Sequence, residues 1–308
     1  MRPLFSLIVP TRRRPDQLRR MLDSVARTAH HPEHLEIVLV IDSDDLKSRV
    51  THPRLSVKCV IGPHGRTMGE LNNAGFEAST GAFVMLLNDD VIVRTRGWDA
   101  VARRCFAKFP DPFVLLHVND VLMRDNLCVF PLTSRAFYEL AGGVCPPQYQ
   151  RYRIDDHIED VFNLLGLLGE RRVVYLPGVV FEHDNATPHP EAGAVYLSDP
   201  AVLALDAPTF DALLPARKEL ALKVFAAIDG RADPDAERAR RATLAAVRSA
   251  FDIRLPGRQR VMRSNAAVAW DAARRVRERI RRARAKSLGE LARIALRRMS
   301  GPSRLNPA

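Results

Sequence analysis

The sequence is poor in cysteine and lacks the common glycine-rich nucleotide motifs. Its 308 residues include four cysteines and no CxxC pair, which argues against a disulfide framework or a cysteine-based zinc site. No GxGxxG or GxxxxGK[ST] motif follows the first apolar segment, so neither a dehydrogenase nor a P-loop enzyme is expected. No apolar run approaches the ~18 residues of a membrane span, and the start, MRPLFSLIVPTRRRP, has too short an apolar core for a signal peptide. These absences predict a cytoplasmic protein.

Positive charge is concentrated at the C-terminal end of the chain. Residues 231–308 hold 21 of the 47 basic and 7 of the 36 acidic residues, a net charge of +14, whereas residues 1–230 have a net charge of −3. Apolar residues recur at roughly helical spacing from Trp270 to Met299, with arginines on the other faces. This pattern predicts a helix that lies on an anionic membrane surface. A solvated helix packed on its own domain and an acidic partner are alternatives, and nucleic acid is the less expected partner.

Short apolar segments alternate with helical patterns over the first 185 residues. This alternation predicts an α/β fold in which helices flank a mostly parallel sheet. We predict a catalytic domain over residues 1–199, a helical extension over 200–230 and a basic helical tail over 231–308. The predicted strands are Phe5–Val9, Leu35–Ile41, Val57–Ile61, Ala82–Leu87, Phe113–Val118, Leu127–Leu132 and Val173–Phe181, and the predicted helices begin at Pro15, Met68, Trp98, Ser134 and Asp155.

Three of the predicted strands end in polar residues. The endings are Pro10-Thr11-Arg12, Asp42 with Asp44 and Asp45, and Asn88-Asp89-Asp90. The carboxyl ends of parallel strands lie at one edge of a sheet, where open α/β sheets bind their ligands. Neighbouring carboxylates repel each other unless positive charge lies between them, and a divalent cation that carries a diphosphate would supply it. A polar turn that simply closes each strand is the alternative.

The order of these segments resembles the family 2 glycosyltransferases with the GT-A fold. FSLIVPTRRRPDQLRRMLDSV is similar to their opening strand and helix, and MGELNNAGFEASTGAFVMLLNDD looks like their helix followed by the DxD strand. EDVFNLLGLLGERRVVYLPGVVFEH resembles their ED segment and a later strand that ends in histidine. The resemblance covers residues 4–185 and implies a Rossmann-like GT-A sheet.

The resemblance also implies a nucleotide-sugar donor, Mn²⁺ or Mg²⁺, and a set of ligand-binding residues. Asn88 stands where the first aspartate of DxD is usual, which removes one charge from the metal site, and IDSDD differs from the commoner VDDGS, which leaves the base open. By resemblance, the donor is bound by Pro10, Thr11, Arg12, Asp42, Asn72 or Asn73, Asn88 and Asp89, and the metal by Asp90 and His183. A plain strand-end role is the alternative for His183.

The family implies inversion at the sugar by direct attack of an acceptor hydroxyl. Since that hydroxyl has a high pKa, a carboxylate must take its proton. Asp160 is our first choice because Glu159-Asp160 reproduces the ED dipeptide, and Asp156 on the same predicted helix face is the rival. Asp155 or Asp156 could instead cap the helix.

The predicted acceptor is a glycan, a lipid-linked glycan or a protein, reached from the cytoplasm or from the inner face of the membrane. One competing function is a nucleotidyltransferase, but PTRRRP lacks the glycines expected after its first strand. Another is a catalytically inactive relative that binds through its basic tail. The joint presence of Asp90, Asp160 and His183 argues against an inactive protein.

Overall fold

The computed structural model describes residues 4–183 and 204–229. The predictions for the basic tail at 231–308 therefore lie outside the described residues. In chain order the elements are β1 Phe5–Thr11, α1 Pro15–Thr28, β2 Leu35–Asp42, β3 Ser56–Gly62, α2 Met68–Ala78, β4 Phe83–Leu86, β5 Val91–Val93, α3 Trp98–Phe106, β6 Leu115–Asn119, β7 Leu132–Ser134, α4 Arg135–Ala141, α5 Ile154–Leu167, β8 Val173–His183, α6 Ala207–Ala212 and α7 Leu214–Asp229.

These strands form an eight-stranded mixed sheet in the order β3-β2-β1-β4-β7-β6-β8-β5. The pairs β1–β2, β1–β4, β2–β3 and β6–β8 are parallel, whereas β4–β7, β6–β7 and β5–β8 are antiparallel. Two antiparallel steps separate β4 from β6, so β4, β6 and β8 run in the same direction. The carboxyl ends of β1, β2, β4, β6 and β8 consequently lie at one edge, which we call the carboxyl edge.

The burial of each strand follows from its place in the sheet. All eight residues of β2 are buried, as are six of the seven residues of β1, because helices cover both faces of a central parallel strand. The outermost strand, β3, alternates between exposed and half-buried residues. On α1, Leu18, Leu22 and Val25 are buried at helical spacing, and Pro15 occupies the first turn, where its missing N–H costs nothing.

Helix α2 is fixed at its start by a capping box and packs unusually close to the sheet. Thr67 Oγ1 accepts the backbone N–H of Glu70, and the Glu70 carboxylate accepts the backbone N–H of Thr67. A Cβ atom added to Gly75 would lie 2.4 Å from Cγ2 of Ile8 on β1. Glycine is therefore required at this position by the close approach of helix and strand.

The predicted α/β fold with a helix-flanked sheet is confirmed, and one predicted strand is wrong. Leu127–Leu132 was expected to form a strand, but the strand is β7, Leu132–Ser134. The backbone N–H of Cys128 donates to the Glu159 carboxylate, and that of Val129 donates to Leu127 in a local turn. Those donors are therefore not available to a neighbouring strand. None of the helices within residues 4–183 and 204–229 is long and apolar enough to cross a membrane.

Candidate active site

The end of β1 meets the residues that follow β4 at the carboxyl edge. Thr11 Oγ1 donates to Asp89 Oδ2 at 2.8 Å. Arg14 Nη1 lies 3.3 Å from Asp89 Oδ1 and 3.4 Å from Asp90 Oδ2. Thr11, Asp89 and Asp90, which sequence analysis assigned to the donor and its metal, thus belong to one network. Arg14 joins them, although no sequence pattern distinguishes it from Arg13.

This part of the network is rich in desolvated negative charge. Burial raises the pKa of Asp89 to about 6, an effect that Arg14 opposes and the neighbouring Asp90 reinforces. Burial also acts to raise the pKa of Asp90, but His183 and Arg14 together outweigh it and hold that pKa below its ordinary value. An added cation at this edge would therefore relieve the repulsion between two adjacent buried carboxylates.

Asp90 and His183 bring a carboxylate oxygen and an imidazole nitrogen to the same point. Asp90 Oδ1 lies 3.2 Å from His183 Nε2, and Asn88 Nδ2 lies 3.2 Å from that same nitrogen. Within the described part of the chain, the buried Asp90 Oδ1 has no hydrogen-bond partner of acceptable geometry. Carboxylate oxygen suits Mn²⁺ and Mg²⁺, and imidazole is a common ligand of first-row metals. The orphaned oxygen and the donor set therefore fit a divalent cation.

The end of β2 forms a second cluster around Arg12. The Arg12 guanidinium donates to Asp42 and also to Asp44, with Nη2 2.8 Å from Asp44 Oδ2. This contact lowers the pKa of Asp44. The donor atoms of Asp42, Asp44 and His64 lie within 4.8 Å of one another, but Arg12 Nη1 is already 3.1 Å from His64 Nδ1. A guanidinium thus supplies positive charge in this cluster and holds Asp42 at the end of β2.

The structure does not bring the side chains of Asn72 and Asn73 into either cluster. The Asn72 amide donates to the Met68 carbonyl of its own helix at 2.9 Å. The Asn73 amide donates to the Cys145 carbonyl at 2.8 Å and accepts the backbone N–H of Val144 at 2.8 Å. Asn73 therefore fastens the loop after α4 to α2, and contact of Asn72 or Asn73 with the donor stays a prediction. Pro10 lies within β1, half-buried beside β2.

The acidic residues of α5, Asp155 to Asp160, lie in the first half of the helix. Helix α5 leads directly into β8, so the C-terminal end of the helix lies near the amino end of that strand. The helix therefore starts near the carboxyl edge. Arg153 is the N-cap residue and makes no side-chain capping bond, and Asp155 and Asp156 lie in the first turn of the helix. Asp155 Oδ1 accepts the backbone N–H of Asp156 at 3.0 Å. Neither aspartate is thus the N-cap residue, although Asp155 accepts one of the free amides of the first turn.

Asp156 and Asp160 differ sharply in their surroundings. The side chain of Asp156 is 27% exposed, and Arg153 Nη1 lies 3.4 Å from its Oδ1. Burial raises the pKa of Asp156, and Arg153 opposes the rise. The Asp160 side chain is only 9% exposed, and its Oδ2 accepts a hydrogen bond from Arg217 Nε at 2.7 Å. Asp160, the first-choice base, was predicted to lie on the polar face of α5. In the structure it forms a buried ion pair with Arg217.

Glu159, the other half of the ED dipeptide, holds the loop that follows β6. Its Oε2 accepts the backbone N–H of Cys128 at 2.9 Å. Burial raises the pKa of Glu159 to about 7. Glu159 is therefore occupied in shaping the loop next to the site.

The described part of the C-terminal extension is bonded to the acidic end of α5. Arg217 Nη1 donates to the Phe210 carbonyl at 2.6 Å, and its guanidinium lies 3.7 Å above the Phe210 ring. The fully buried Asp206 accepts three backbone N–H groups from the loop before α5, those of Gln150, Arg151 and Tyr152. We call Asp206, Phe210 and Arg217 the brace. No motif in the sequence indicated it, because the contact of Arg217 with Asp160 spans 57 residues.

Non-glycine residues with left-handed backbone conformations occur in the loops around the carboxyl edge. They are Arg13, Val121, Arg124 and Arg153, with φ of 56°, 73°, 54° and 68°. Val121 is notable because a β-branched side chain disfavours this conformation. Backbone strain of this kind persists where the surrounding structure imposes it, which is frequent at functional sites. Its distribution supports the carboxyl edge as the functional face.

The first third of the chain matches a known protein family. Residues 6–103 match the model of the family described as glycosyl transferase family 2. That match covers β1 to α3 and includes Arg12, Asp42 and Asp90, whereas α5 and His183 lie outside it. No curated protein matches the chain.

Several solved structures are similar to this chain at low sequence identity. A Pyrobaculum calidifontis mannosyltransferase in complex with GDP-Man and Mn²⁺ is 20% identical over 89% of this chain and 86% of that chain, with a TM-score of 0.47. S. aureus TarS is 17% identical over 58% of this chain and 36% of that chain, with a TM-score of 0.46. A shorter TarS chain in complex with UDP is 16% identical over 58% and 59%, with a TM-score of 0.46. The matched part of this chain thus spans little more than a third of the longer TarS chain.

Proposed function

We propose that this chain, whose residues 6–103 match the family model described as glycosyl transferase family 2, moves a sugar from a nucleotide-sugar donor to an acceptor hydroxyl with inversion at the anomeric carbon. The observation that carries this proposal is the meeting of Asp89, Asp90 and His183 at the carboxyl edge. We propose a glycan, a lipid-linked glycan or a protein as the acceptor.

Asp90 and His183 are the residues that would hold Mn²⁺ or Mg²⁺. A divalent cation at this point would offset the charge that develops on the departing diphosphate. The nucleoside would lie over Thr11, Arg12 and Asp42, at the ends of β1 and β2. Arg12 bonds both Asp42 and Asp44, and Arg13 Nη2 lies 3.2 Å from Asp44 Oδ2. Two guanidinium groups thus offset two carboxylates, which favours a neutral hydrogen-bonding group of the donor here, such as a base or ribose.

Asp156 is the residue that we propose as the general base. A base needs an accessible oxygen and a pKa closer to the working pH than that of an ordinary carboxylate. Asp156 has a partly exposed side chain and a raised pKa, whereas one oxygen of Asp160 is held by Arg217. This reverses the order that the ED dipeptide suggested. Asp160 then acts through Arg217 to hold α5 in place.

Release of nucleoside diphosphate tests the proposed reaction. Full-length protein is incubated with UDP-, GDP- and dTDP-sugars in the presence of Mn²⁺, Mg²⁺ or EDTA, and the released diphosphate is measured by chromatography. We expect release from at least one donor with metal, and little with EDTA or in Asp90→Asn. Asp23→Asn is a matched control because Asp23 is 57% exposed on α1. Absence of release from every donor with both metals would contradict the proposal.

We further propose that residues 231–308, which lie outside the described residues, attach the enzyme to an anionic membrane surface. The support is their net charge of +14, since each basic residue near such a surface contributes about 1 kcal/mol. We expect the full-length protein to sediment with anionic vesicles at low salt and to dissociate at high salt. Equal binding to neutral vesicles, or stronger binding to DNA or RNA at matched salt, would argue for another partner.

A further inference from the structure

A histidine-rich turn lies at the edge of the sheet opposite the carboxyl edge. Between the end of α1 and the start of β2, the chain runs His30-His31-Pro32-Glu33-His34, and Pro32–His34 form one 3₁₀ turn. The ligand atoms of His31, Glu33 and His34 all lie within 4.8 Å of one another. We propose that these three side chains form a binding site for a divalent transition-metal ion, separate from Asp90 and His183.

The spacing of the side chains suits ligands of one ion. His31 Nδ1 lies 3.0 Å from Glu33 Oε1. Bonds of about 2.0–2.2 Å from a metal to nitrogen or oxygen place neighbouring ligands roughly 3.0–3.5 Å apart. The ring of His31 stacks between those of His30 and His34, with centroid separations of 4.5 and 5.1 Å. Small rotations of two partly exposed rings would therefore complete the coordination.

The backbone of this turn is held in place by the rest of the domain. The carboxylate of Asp99, which is 3% exposed, accepts the backbone N–H of His30 at 2.7 Å and that of His31 at 2.8 Å. The His34 carbonyl accepts the backbone N–H of Leu4 at 2.8 Å. Pro32 further restricts the chain between the two histidines. Because the backbone is already ordered, metal binding has to fix only three side chains, which reduces the entropic cost.

The donor set determines the class of metal. Two imidazoles and one carboxylate suit Zn²⁺, Ni²⁺ or Cu²⁺, whereas Mg²⁺ prefers oxygen ligands and retains several waters. Three protein ligands leave at least one position for water. An ion bound here would link the end of α1 to the start of β2 and so stabilise the folded domain.

Titration with Zn²⁺ alone tests the site in the full-length protein, without any nucleotide. We measure Zn²⁺ affinity by competition with a chromogenic chelator in the wild type, in Asp90→Asn, in His31→Ala/His34→Ala and in Glu33→Gln. We expect the wild type and Asp90→Asn to share a tight Zn²⁺ site that excess Mg²⁺ does not displace. The double histidine variant should lose it, and Glu33→Gln should bind Zn²⁺ more weakly.

Two controls keep this test decisive. His64→Ala removes an exposed histidine of the Arg12 cluster and should leave the Zn²⁺ site intact. Glu33 is 58% exposed, so Glu33→Gln should fold even if the double variant does not. Wild-type protein that does not compete with the chelator, or an affinity unchanged in Glu33→Gln and in the folded double variant, would overturn the proposal. Neither result tests the proposed donor site, where Asp90 would hold the metal.

Discussion

Replacement of Asp156 by asparagine is expected to lower the rate of sugar transfer by about 10²–10⁴-fold, the usual cost of losing a general base. Donor affinity should remain unchanged, because the base acts on the acceptor hydroxyl and makes no contact with the diphosphate. In the wild type, kcat/KM should rise with pH through a pKa above the ordinary carboxylate value, since burial raises the pKa of Asp156. That rise should be absent from the residual activity of Asp156→Asn. Steady-state kinetics across pH provide the measurement.

A matched control for this variant is Asp211→Asn, which changes an exposed aspartate on α6. We expect wild-type kinetics from it. If Asp156→Asn retains full activity, whereas a stably folded Asp160→Asn is inactive with intact donor binding, Asp160 is the base and our reversal of the order is wrong.

Replacement of Arg217 by methionine is expected to reduce the free energy of unfolding by about 3–5 kcal/mol. The change leaves the Asp160 carboxylate buried without its partner at 2.7 Å, and it also removes the hydrogen bond to the Phe210 carbonyl. In a domain of this size the loss corresponds to a fall of roughly 6–20 °C in Tm. Thermal and denaturant unfolding of the full-length protein measure it.

A double variant separates the buried charge from simple packing. If the unpaired carboxylate causes the loss, Arg217→Met/Asp160→Asn should be more stable than Arg217→Met alone. Arg217→Lys, which keeps the charge but not the planar contact with Phe210, should lie between the wild type and Arg217→Met. If the double variant instead loses as much free energy of unfolding as Arg217→Met and Asp160→Asn lose together, the brace stabilises the domain through packing alone.

The regular elements of this domain were predictable wherever the sequence pattern was local. The sequence pattern predicted the starts of α2 and α3 at Met68 and Trp98, where the structure has them. The strand predicted at Leu127–Leu132 was wrong because Glu159, distant in sequence, takes a backbone donor from that segment. The antiparallel pairing of β7 was also not predictable, because a strand of three residues is too short to show an alternating pattern.

The site was predictable at the strand ends and not on the helices. Strand direction alone brings Thr11, Asp89 and Asp90 to one edge, as expected from a parallel sheet. Helical periodicity assigned Asp160 to a polar face, but it could not show that α7 covers that face and supplies Arg217. The sequence also could not show that the Asn73 amide donates to the Cys145 carbonyl and so holds the loop after α4.

We propose that a nucleotide and a divalent cation bind together at the carboxyl edge, through Asp90. Calorimetric titration of the wild type and Asp90→Asn with UDP, GDP and dTDP, with Mn²⁺ and with EDTA, tests it most directly. We predict that at least one diphosphate binds the wild type more tightly with Mn²⁺, and that Asp90→Asn removes this Mn²⁺ dependence. If no diphosphate binds with the metal, or if Mn²⁺ strengthens binding equally in Asp90→Asn, the claim is contradicted.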